Sequence, residues 1–395
     1  MVKLAIIGPT KGPGQLGMLL GLAANKIHCE EGINLSLLTI GSDYRPDWSD
    51  DHYGISEAEQ KQLNASAHII AFETESIPGM FRESFKEKFV PSLVSLNLFR
   101  DRLEEKNFFL NLGLLTASFV PISSQAELNA VIENSTINFP ARLKTCELGY
   151  DGHGQKQIKS ADELQLAWNN LGQAKCILEE ELNIHRELSV VITRFVDGQI
   201  IRFPIPENLH KKSVLYRSRL AELSEPLKEE LYKMAEKMLK ELNYVGTFCL
   251  EIVQLDNDEG DILINEAAPR VHNSGHFTLD FCEGTNQFDS HVRAICNIES
   301  PDLKLPNKCF SMTNLLGIDF EQYQQLVQDL NASGLFDEFT SFHPYWYNKE
   351  VAKPLRKMGH LTVLSNDDKK LKEIEELIDE LLGSNPPHPL LKAKE

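Results

Sequence analysis

Cysteine is sparse in this sequence and follows no metal-binding or disulfide pattern. The 395 residues include seven cysteines, an odd number without a C-x-x-C pair. They lie at positions 29, 146, 176, 249, 282, 296 and 309. Structural zinc and a disulfide framework are therefore not expected, and a reducing cytoplasm is the expected location.

Long apolar runs and an excess of basic charge are also missing. No apolar run approaches the roughly 18 residues that a membrane-spanning helix needs, and the opening MVKLAIIGP is typical of a short strand rather than a signal peptide. The 40 Lys and Arg residues are outnumbered by 58 Asp and Glu, for a net charge of −18. This balance argues against nucleic acid or an anionic membrane as the main partner.

The order of predicted elements indicates α/β and α+β architecture in three domains. Residues 1–97 alternate short apolar strands with helices, which predicts a doubly wound parallel sheet. Residues 98–300 contain hairpins, amphipathic helices and a Gly-rich loop. Residues 301–395 form a small unit of strands and helices that ends in a tail, NPPHPLLKAKE, predicted to be disordered.

The segment ILINEAAPRVHNSGH, residues 262–276, concentrates groups that bind anions and move protons. Its strand follows a polar turn and another strand, FCLEIVQL, so the two predict a β-hairpin carrying Glu251 and Glu266. If Leu255 faces Ile262, the two glutamates lie opposite each other, which is unfavourable unless a divalent cation lies between them. A slip of one residue would put them on opposite faces. The alternative is a solvated hairpin with two surface acids.

Three glycines in the loop GYDGHGQ, residues 149–155, predict close approach of backbone N–H groups to phosphates. Lys144 on the preceding strand would add a positive charge. A plain turn with a surface lysine is the alternative. Next comes the acidic run at 179–181, followed by Glu187. It fits a strand-end connector that contacts adenine and ribose, although acidic runs are more often solvated faces.

GPGQLGMLL, residues 12–20, follows a strand and opens a helix, but it is not a clean dinucleotide fingerprint. The strand ends at Gly8, and no acid stands at the end of the next strand. We interpret this helix start as a phosphate site or a packing contact, with hydride transfer as a weak alternative. Near the C-terminus, WYNKEVAKPLRKMGH clusters basic residues. That cluster is either a solvated loop or a pocket for a phosphorylated substrate.

Together these motifs resemble the ATP-grasp superfamily, and more closely the 5-(carboxyamino)imidazole ribonucleotide synthase family of purine biosynthesis. The resemblance runs from GQLG through DRLEEK, GYDGHGQ and NEAAPRVHNSGH to KMGH. It implies a central ATP-grasp domain at 98–300 with a mobile lid at about 115–182, and a C-terminal substrate-binding domain. It also implies ATP- and bicarbonate-dependent carboxylation of 5-aminoimidazole ribonucleotide through carboxyphosphate, in a homodimer.

The resemblance assigns roles to individual residues. Groups that would hold ATP phosphates, with Lys106 nearby, are Arg102, Lys144, Gly149, Tyr150, Asp151, Gly152, His153, Gly154 and Gln155. Adenine, ribose and nearby contacts would come from Glu179, Glu180, Glu181, Leu182, Glu187 and His210. Glu251 and Glu266 would bind Mg²⁺, or Mn²⁺, with Asn265 beside them. Facing bicarbonate would be Arg270, His272 and Asn273. The ribonucleotide would contact Gln15, Glu73, Tyr150, Asp151, Arg270, Lys349 and Arg356.

Three departures from the family pattern concern loops. Extra residues follow the first strand, and Met18 stands where arginine is usual. His153 replaces a common lysine or arginine, and KEVAKPLRK has one extra residue, with Leu355 in place of glycine. The first and third changes fall on the ribonucleotide phosphate side, so they bear on substrate affinity or identity. Formate-dependent glycinamide ribonucleotide transformylase and a non-catalytic nucleotide sensor are the alternative functions.

Overall fold

The computed structural model describes residues 1–42, 47–147 and 154–383. Its first unit is a parallel four-stranded sheet in the order β3-β2-β1-β4. The strands are β1 (Val2–Ile7), β2 (Leu35–Ile40), β3 (Asp51–Tyr53) and β4 (Ile69–Phe72). The connecting helices are α1 (Gln15–Glu31), α2 (Glu57–Ser66) and α3 (Gly79–Phe85). The last four residues of β1 are fully buried, as expected for a parallel strand covered on both faces. The predicted doubly wound sheet is confirmed.

A second, antiparallel sheet has the order β5-β8-β6-β7. Its strands are β5 (Phe119–Ile122), β6 (Ala141–Thr145), β7 (Gln155–Ile158) and β8 (Cys176–Glu180). Two helices lead into this sheet and two belong to it, namely α4 (Leu93–Arg100), α5 (Arg102–Asn111), α6 (Gln125–Asn134) and α7 (Ala161–Asn170). The apolar faces of α6 and α7 share a small core with the strands, so this sheet is a compact unit of its own.

The third sheet has nine strands in the order β14-β13-β9-β11-β12-β15-β17-β16, with β10 beside β9. They are β9 (Ile184–Arg194), β10 (Ile200–Arg202), β11 (Pro206–Lys211), β12 (Val214–Leu220), β13 (Gly246–Leu255), β14 (Ile262–Ala268), β15 (Cys309–Leu316), β16 (Thr340–Trp346) and β17 (Lys357–Ser365). Because β12 pairs with β15, one sheet continues across the predicted boundary near residue 300. The three-domain division itself stays a prediction.

The remaining helices are α8 (Glu225–Glu241), α9 (Thr278–Phe281), α10 (Gln287–Cys296), α11 (Phe320–Ala332) and α12 (Asp368–Leu381). All ten residues of α10 are buried, as expected for a helix covered on every side. It packs against both α1 and β13, and Phe288 and Val292 share a core cluster with Leu16 and Leu19 of α1. The helix therefore fixes the segment that follows β14 against the N-terminal sheet.

Two further observations concern the predictions about membranes and the tail. No helix in the described ranges is both long enough and apolar enough to cross a lipid bilayer. The tail that was predicted to be disordered lies outside the described residues.

Candidate active site

The facing glutamates on β13 and β14 are confirmed as cross-strand partners, but by a register that differs from the prediction. Near the turn Ile262 pairs with Gln254 rather than with Leu255. A β-bulge then shifts the register by one residue, so Glu251 does pair with Glu266. Asn265 is the residue left without a Cα partner at that shift. Such bulges re-aim side chains, and here the bulge brings two carboxylates to opposed positions.

The two carboxylates are electrically inequivalent. Loss of bulk water around Glu266, and then the charge of Glu251, raise the pKa of Glu266. Burial alone would raise the pKa of Glu251 too, but a hydrogen bond and positive charge from His272 lower it. A third acid, Glu105, is buried under the hairpin and accepts a 2.7 Å hydrogen bond from the Ala267 N–H. Burial, with help from Glu266, raises the pKa of Glu105 to about 8.

This charge pattern suits a cation, although the protein alone would not enclose one. Within the described residues, no group of three or more His, Cys, Asp or Glu side chains is placed to hold a metal ion. Two hard carboxylates completed by water and phosphate oxygens are, however, a common Mg²⁺ environment. Glu251 and Glu266 therefore fit a magnesium ion that arrives with a nucleotide.

Both ring nitrogens and both backbone polar groups of His272 have partners within the protein. Its Nε2 lies 3.1 Å from Glu251 Oε1, and its Nδ1 lies 2.8 Å from Ser274 Oγ. The Gln287 side chain accepts from the His272 N–H at 2.9 Å and donates to its carbonyl at 2.8 Å. Burial would lower the pKa of His272, but the neighbouring Cys249 and the Glu251 carboxylate raise it. The imidazole thus joins the β13–β14 hairpin to the loop that follows it.

Asn273 and Arg270 flank this histidine. Asn273 is buried and exchanges two hydrogen bonds with Asn314, at 3.1 and 2.7 Å. The Arg270 guanidinium faces Glu75, with Nη2 donating to Oε2 at 3.0 Å and Nε lying 2.9 Å from Oε1. The structure therefore joins His272 to Glu251 and Arg270 to Glu75, while the Asn273 amide is engaged with β15.

On the predicted nucleotide side, Glu179 lies between two lysines. Lys106 Nζ is 2.5 Å from one carboxylate oxygen, and Lys144 pairs with the other. Burial would raise the pKa of Glu179, but the two lysines lower it to about 2. Lys106 is 2% exposed and also donates to Thr116 Oγ1 at 2.8 Å and to the Asn265 carbonyl at 3.5 Å. All three of its donors are thus engaged, whereas Lys144 reaches the surface.

The other predicted nucleotide contacts surround this pair. Arg102 donates to the Thr145 carbonyl at 2.8 Å, and Glu181 pairs with Arg142 at 2.8 Å. Glu180 ends β8, and Leu182 follows in the connector to β9. His210 Nδ1 lies 3.1 Å from Glu187 Oε2. Burial would lower the pKa of His210, but Glu187 raises it.

The Gly-rich loop is described only at its end. Gly149, Tyr150, Asp151, Gly152 and His153 lie outside the described residues. Gly154 has a positive φ of 70°, and its carbonyl accepts from the Thr145 N–H at 2.9 Å. Gln155 pairs with Lys144 across β6 and β7. The loop's role at the phosphates stays a prediction.

On the predicted ribonucleotide side, the structure joins Gln15 to Lys349, whose Nζ donates at 3.0 Å. Glu73 is buried and accepts from the backbone N–H groups of Gly14 and Gly17. Burial raises the pKa of Glu73. Arg356 is exposed and donates to the Val351 carbonyl. Three of the predicted residues thus gather at the start of α1, and Arg356 makes its contact within its own loop.

Two family models match this chain. An ATP-grasp domain model matches residues 107–288, and a phosphoribosylaminoimidazole carboxylase C-terminal domain model matches residues 311–374. N5-carboxyaminoimidazole ribonucleotide synthase of Bacillus subtilis (strain 168) is 33% identical over 381 residues, which is 94% of each chain. This chain belongs to the N5-carboxyaminoimidazole ribonucleotide synthase family.

Solved structures of N5-carboxyaminoimidazole ribonucleotide synthases agree with this placement. An ADP complex of such an enzyme aligns with a TM-score of 0.83 at 30% identity, covering 97% of both chains. The ADP complex from Staphylococcus aureus aligns with a TM-score of 0.81 at 28% identity, covering 96% of this chain and 97% of the other. The predicted family, the fold class and the classification as an ATP-grasp ligase are confirmed.

Several partners of the family motifs escaped prediction from the sequence. Glu75, Gln287 and Asn314 each hold a predicted site residue from a distant segment. Glu75 stands two residues after Glu73 in FETES, and that spacing was the one available signal. Leu355, which replaces the usual glycine, has a φ of 64°. The backbone has kept a left-handed conformation that favours glycine.

Proposed function

We propose that this chain carboxylates 5-aminoimidazole ribonucleotide at the expense of ATP and bicarbonate, as a step of purine biosynthesis. The observation that carries the proposal is the hairpin on which Glu251 and Glu266 face each other, with His272 contacting Glu251 and Arg270 interacting electrostatically with Glu266. Lys144 interacts electrostatically with Glu266, and Arg270 and Lys349 both interact with Glu73. The activity named for the family relatives supports the same reaction.

Glu251 and Glu266 would hold Mg²⁺, or Mn²⁺, together with water and phosphate oxygens. When bound, the ion supplies charge neutralisation at the phosphoryl group being transferred. Phosphoryl transfer depends on positioning and electrostatic stabilisation more than on covalent chemistry by the protein. Lys144 and Arg270 would offset the remaining negative charge.

The first step forms a bond between a bicarbonate oxygen and the γ-phosphorus of ATP, while the bond to the leaving ADP oxygen breaks. The product, carboxyphosphate, is an activated carboxyl donor. The exocyclic amine of the ribonucleotide then attacks its carbon, or CO₂ released from it. Inorganic phosphate leaves and the amine loses a proton. His272 would either accept that proton or hold bicarbonate by a hydrogen bond.

The roles of the ribonucleotide residues are part of the same proposal. Lys349 and Arg356 would lie near the ribonucleotide phosphate, with Gln15 and Glu73 at the start of α1. Glu73 already has both carboxylate oxygens engaged by N–H groups of that helix start. Its contribution would therefore be to shape the backbone around the substrate as much as to touch it.

The deciding experiment measures ADP formation with Mg-ATP and bicarbonate, with and without 5-aminoimidazole ribonucleotide. Strong stimulation that requires both co-substrates is the expected result. Stimulation by formate and glycinamide ribonucleotide instead would assign the transformylase activity. Binding of ATP without turnover would assign a nucleotide sensor.

A homodimer and a cytoplasmic location complete the proposal; the dimer rests on the family alone, and the location rests on the cysteine pattern. Light scattering of the purified protein measures its molar mass, and a value near twice 44.7 kDa is expected. A value near the monomer mass would remove the dimer from the proposal.

A further inference from the structure

The Arg270 side chain donates two hydrogen bonds within the protein, which leaves three of its five donors without a hydrogen-bond partner among the described residues. An arginine carries five N–H donors in a planar fork. Nη1 donates to the Val271 carbonyl at 3.1 Å, and Nη2 donates to Glu75 Oε2 at 3.0 Å. The Nε atom lies 2.9 Å from Glu75 Oε1 but makes no hydrogen bond within the described part of the chain. One N–H on each terminal nitrogen remains for an anion.

Glu75 belongs to a segment that is itself anchored. Two residues earlier, Glu73 accepts from the N–H groups of Gly14 and Gly17 at the start of α1. Strand β4 precedes both acids and pairs with β1 in the parallel sheet. The backbone that carries Glu75 is thus anchored next to the N-terminal sheet. Its partner Arg270 lies 195 residues away in the chain.

The Glu75–Arg270 pair is placed where a ligand could meet it. The two side chains are 19% and 17% exposed, so neither is sealed inside the core. Glu266 and the buried Glu73 also interact with Arg270 electrostatically. A guanidinium released from Glu75 would be drawn toward these carboxylates, and Glu266 is the one that we assign to the metal.

From this geometry we infer that Glu75 is a positioning residue for the carboxylation: it orients the Arg270 fork toward the bicarbonate-derived anion and keeps Arg270 away from Glu266. The inference rests on the proposed function, because Arg270 is assigned there to the reacting anion. Its distinctive consequence is that Glu75 acts through Arg270 and not by touching substrate.

A double-mutant cycle tests this relationship. Glu75→Gln keeps the size of the side chain and removes its charge, and Arg270→Lys keeps a positive charge without the fork. Each single variant should lower kcat for ribonucleotide-stimulated ADP formation by about 10- to 100-fold, in line with loss of one oriented oxyanion contact. When Arg270→Lys is already present, adding Glu75→Gln should lower kcat further by less than about 3-fold.

Two further readouts separate positioning from a general structural role. The KM for ATP should stay within about 2-fold in Glu75→Gln, while the Mg²⁺ concentration for half-maximal rate should rise, because Arg270 would compete for Glu266. Glu83→Gln, an exposed acid on α3, is the matched control and should leave kcat, KM and Mg²⁺ dependence unchanged.

Unchanged kcat in Glu75→Gln, or losses that multiply fully in the double variant, would overturn the inference. If circular dichroism shows that the Glu75→Gln variant does not fold, the Glu75→Asp variant, which keeps the charge, takes its place in the double-mutant cycle. Wild-type protein that shows no bicarbonate-dependent turnover would instead refute the proposed function itself.

Discussion

Replacing Glu266 by glutamine should stabilise the metal-free protein while abolishing its activity. Glu251 and Glu266 are direct cross-strand partners, and side chains in such positions are about 5 Å apart at Cβ. Two unit charges about 6 Å apart repel by about 0.7 kcal/mol in bulk water and about 3 kcal/mol at an effective dielectric constant near 20. Because His272 offsets part of the negative charge, we expect a net gain of about 1 kcal/mol.

The assay is urea unfolding in EDTA at low ionic strength, repeated with Mg²⁺ and a nucleotide. In EDTA the Glu266→Gln variant should unfold at higher urea than wild type. Added Mg²⁺ with ADP should stabilise wild type more than the variant, because ligands stabilise the state that binds them. ADP formation by the variant should fall at least about a hundredfold.

Glu259→Gln is the matched control, since Glu259 is an exposed acid in the turn of the same hairpin. It should change neither stability nor rate. A Glu266→Gln variant that is less stable than wild type in EDTA would show that the facing carboxylates do not repel. Equal protection of both proteins by Mg²⁺ and ADP would remove Glu266 from the metal site.

Three other predictions concern single side chains. His272→Ala and Arg270→Ala should each lose at least about a hundredfold in the rate of ADP formation, and near-normal turnover would remove their catalytic assignments. The pKa of Glu105 rises from 4.5 to about 8 on folding, so the folded protein binds this proton more tightly. The unfolding free energy should therefore fall by up to about 1.4 kcal/mol per pH unit as the pH rises between those values. In the Glu105→Gln variant, urea unfolding should not show this fall with pH. Leu355→Gly should raise the unfolding free energy by about 0.5 kcal/mol, because relief of the left-handed conformation exceeds the added chain entropy; a loss of stability would contradict this.

The sequence predicted the elements of the site better than their connections. Opposed glutamates were predicted with Leu255 facing Ile262, yet Gln254 holds that place and the bulge at Asn265 restores the pairing. Residue alternation does not reveal a bulge, because the extra residue leaves the apolar pattern on either side intact. The prediction that Glu251 faces Glu266 is therefore confirmed, but the predicted strand register near the turn is wrong.

Long-range partners were beyond prediction for a different reason. The sequence offers 58 acidic residues, and the spacing of Glu75 two residues after Glu73 does not identify Arg270 as its partner. The sequence also does not reveal which charged residues are buried. Lys106 is 2% exposed and uses all its hydrogen-bond donors, although it lies in a charged run, DRLEEK. Such contacts depend on how three sheets meet, which local patterns do not encode.

The continuous nine-stranded sheet has a consequence for protein engineering. A fragment that stops near residue 300 would lose β15, and β12 would become a bare edge with unpaired N–H and carbonyl groups. Exposed edges of this kind recruit other chains and promote aggregation. The last hundred residues therefore complete the sheet, and an engineered protein should keep them with their strand register unchanged rather than remove or exchange them as a separate domain.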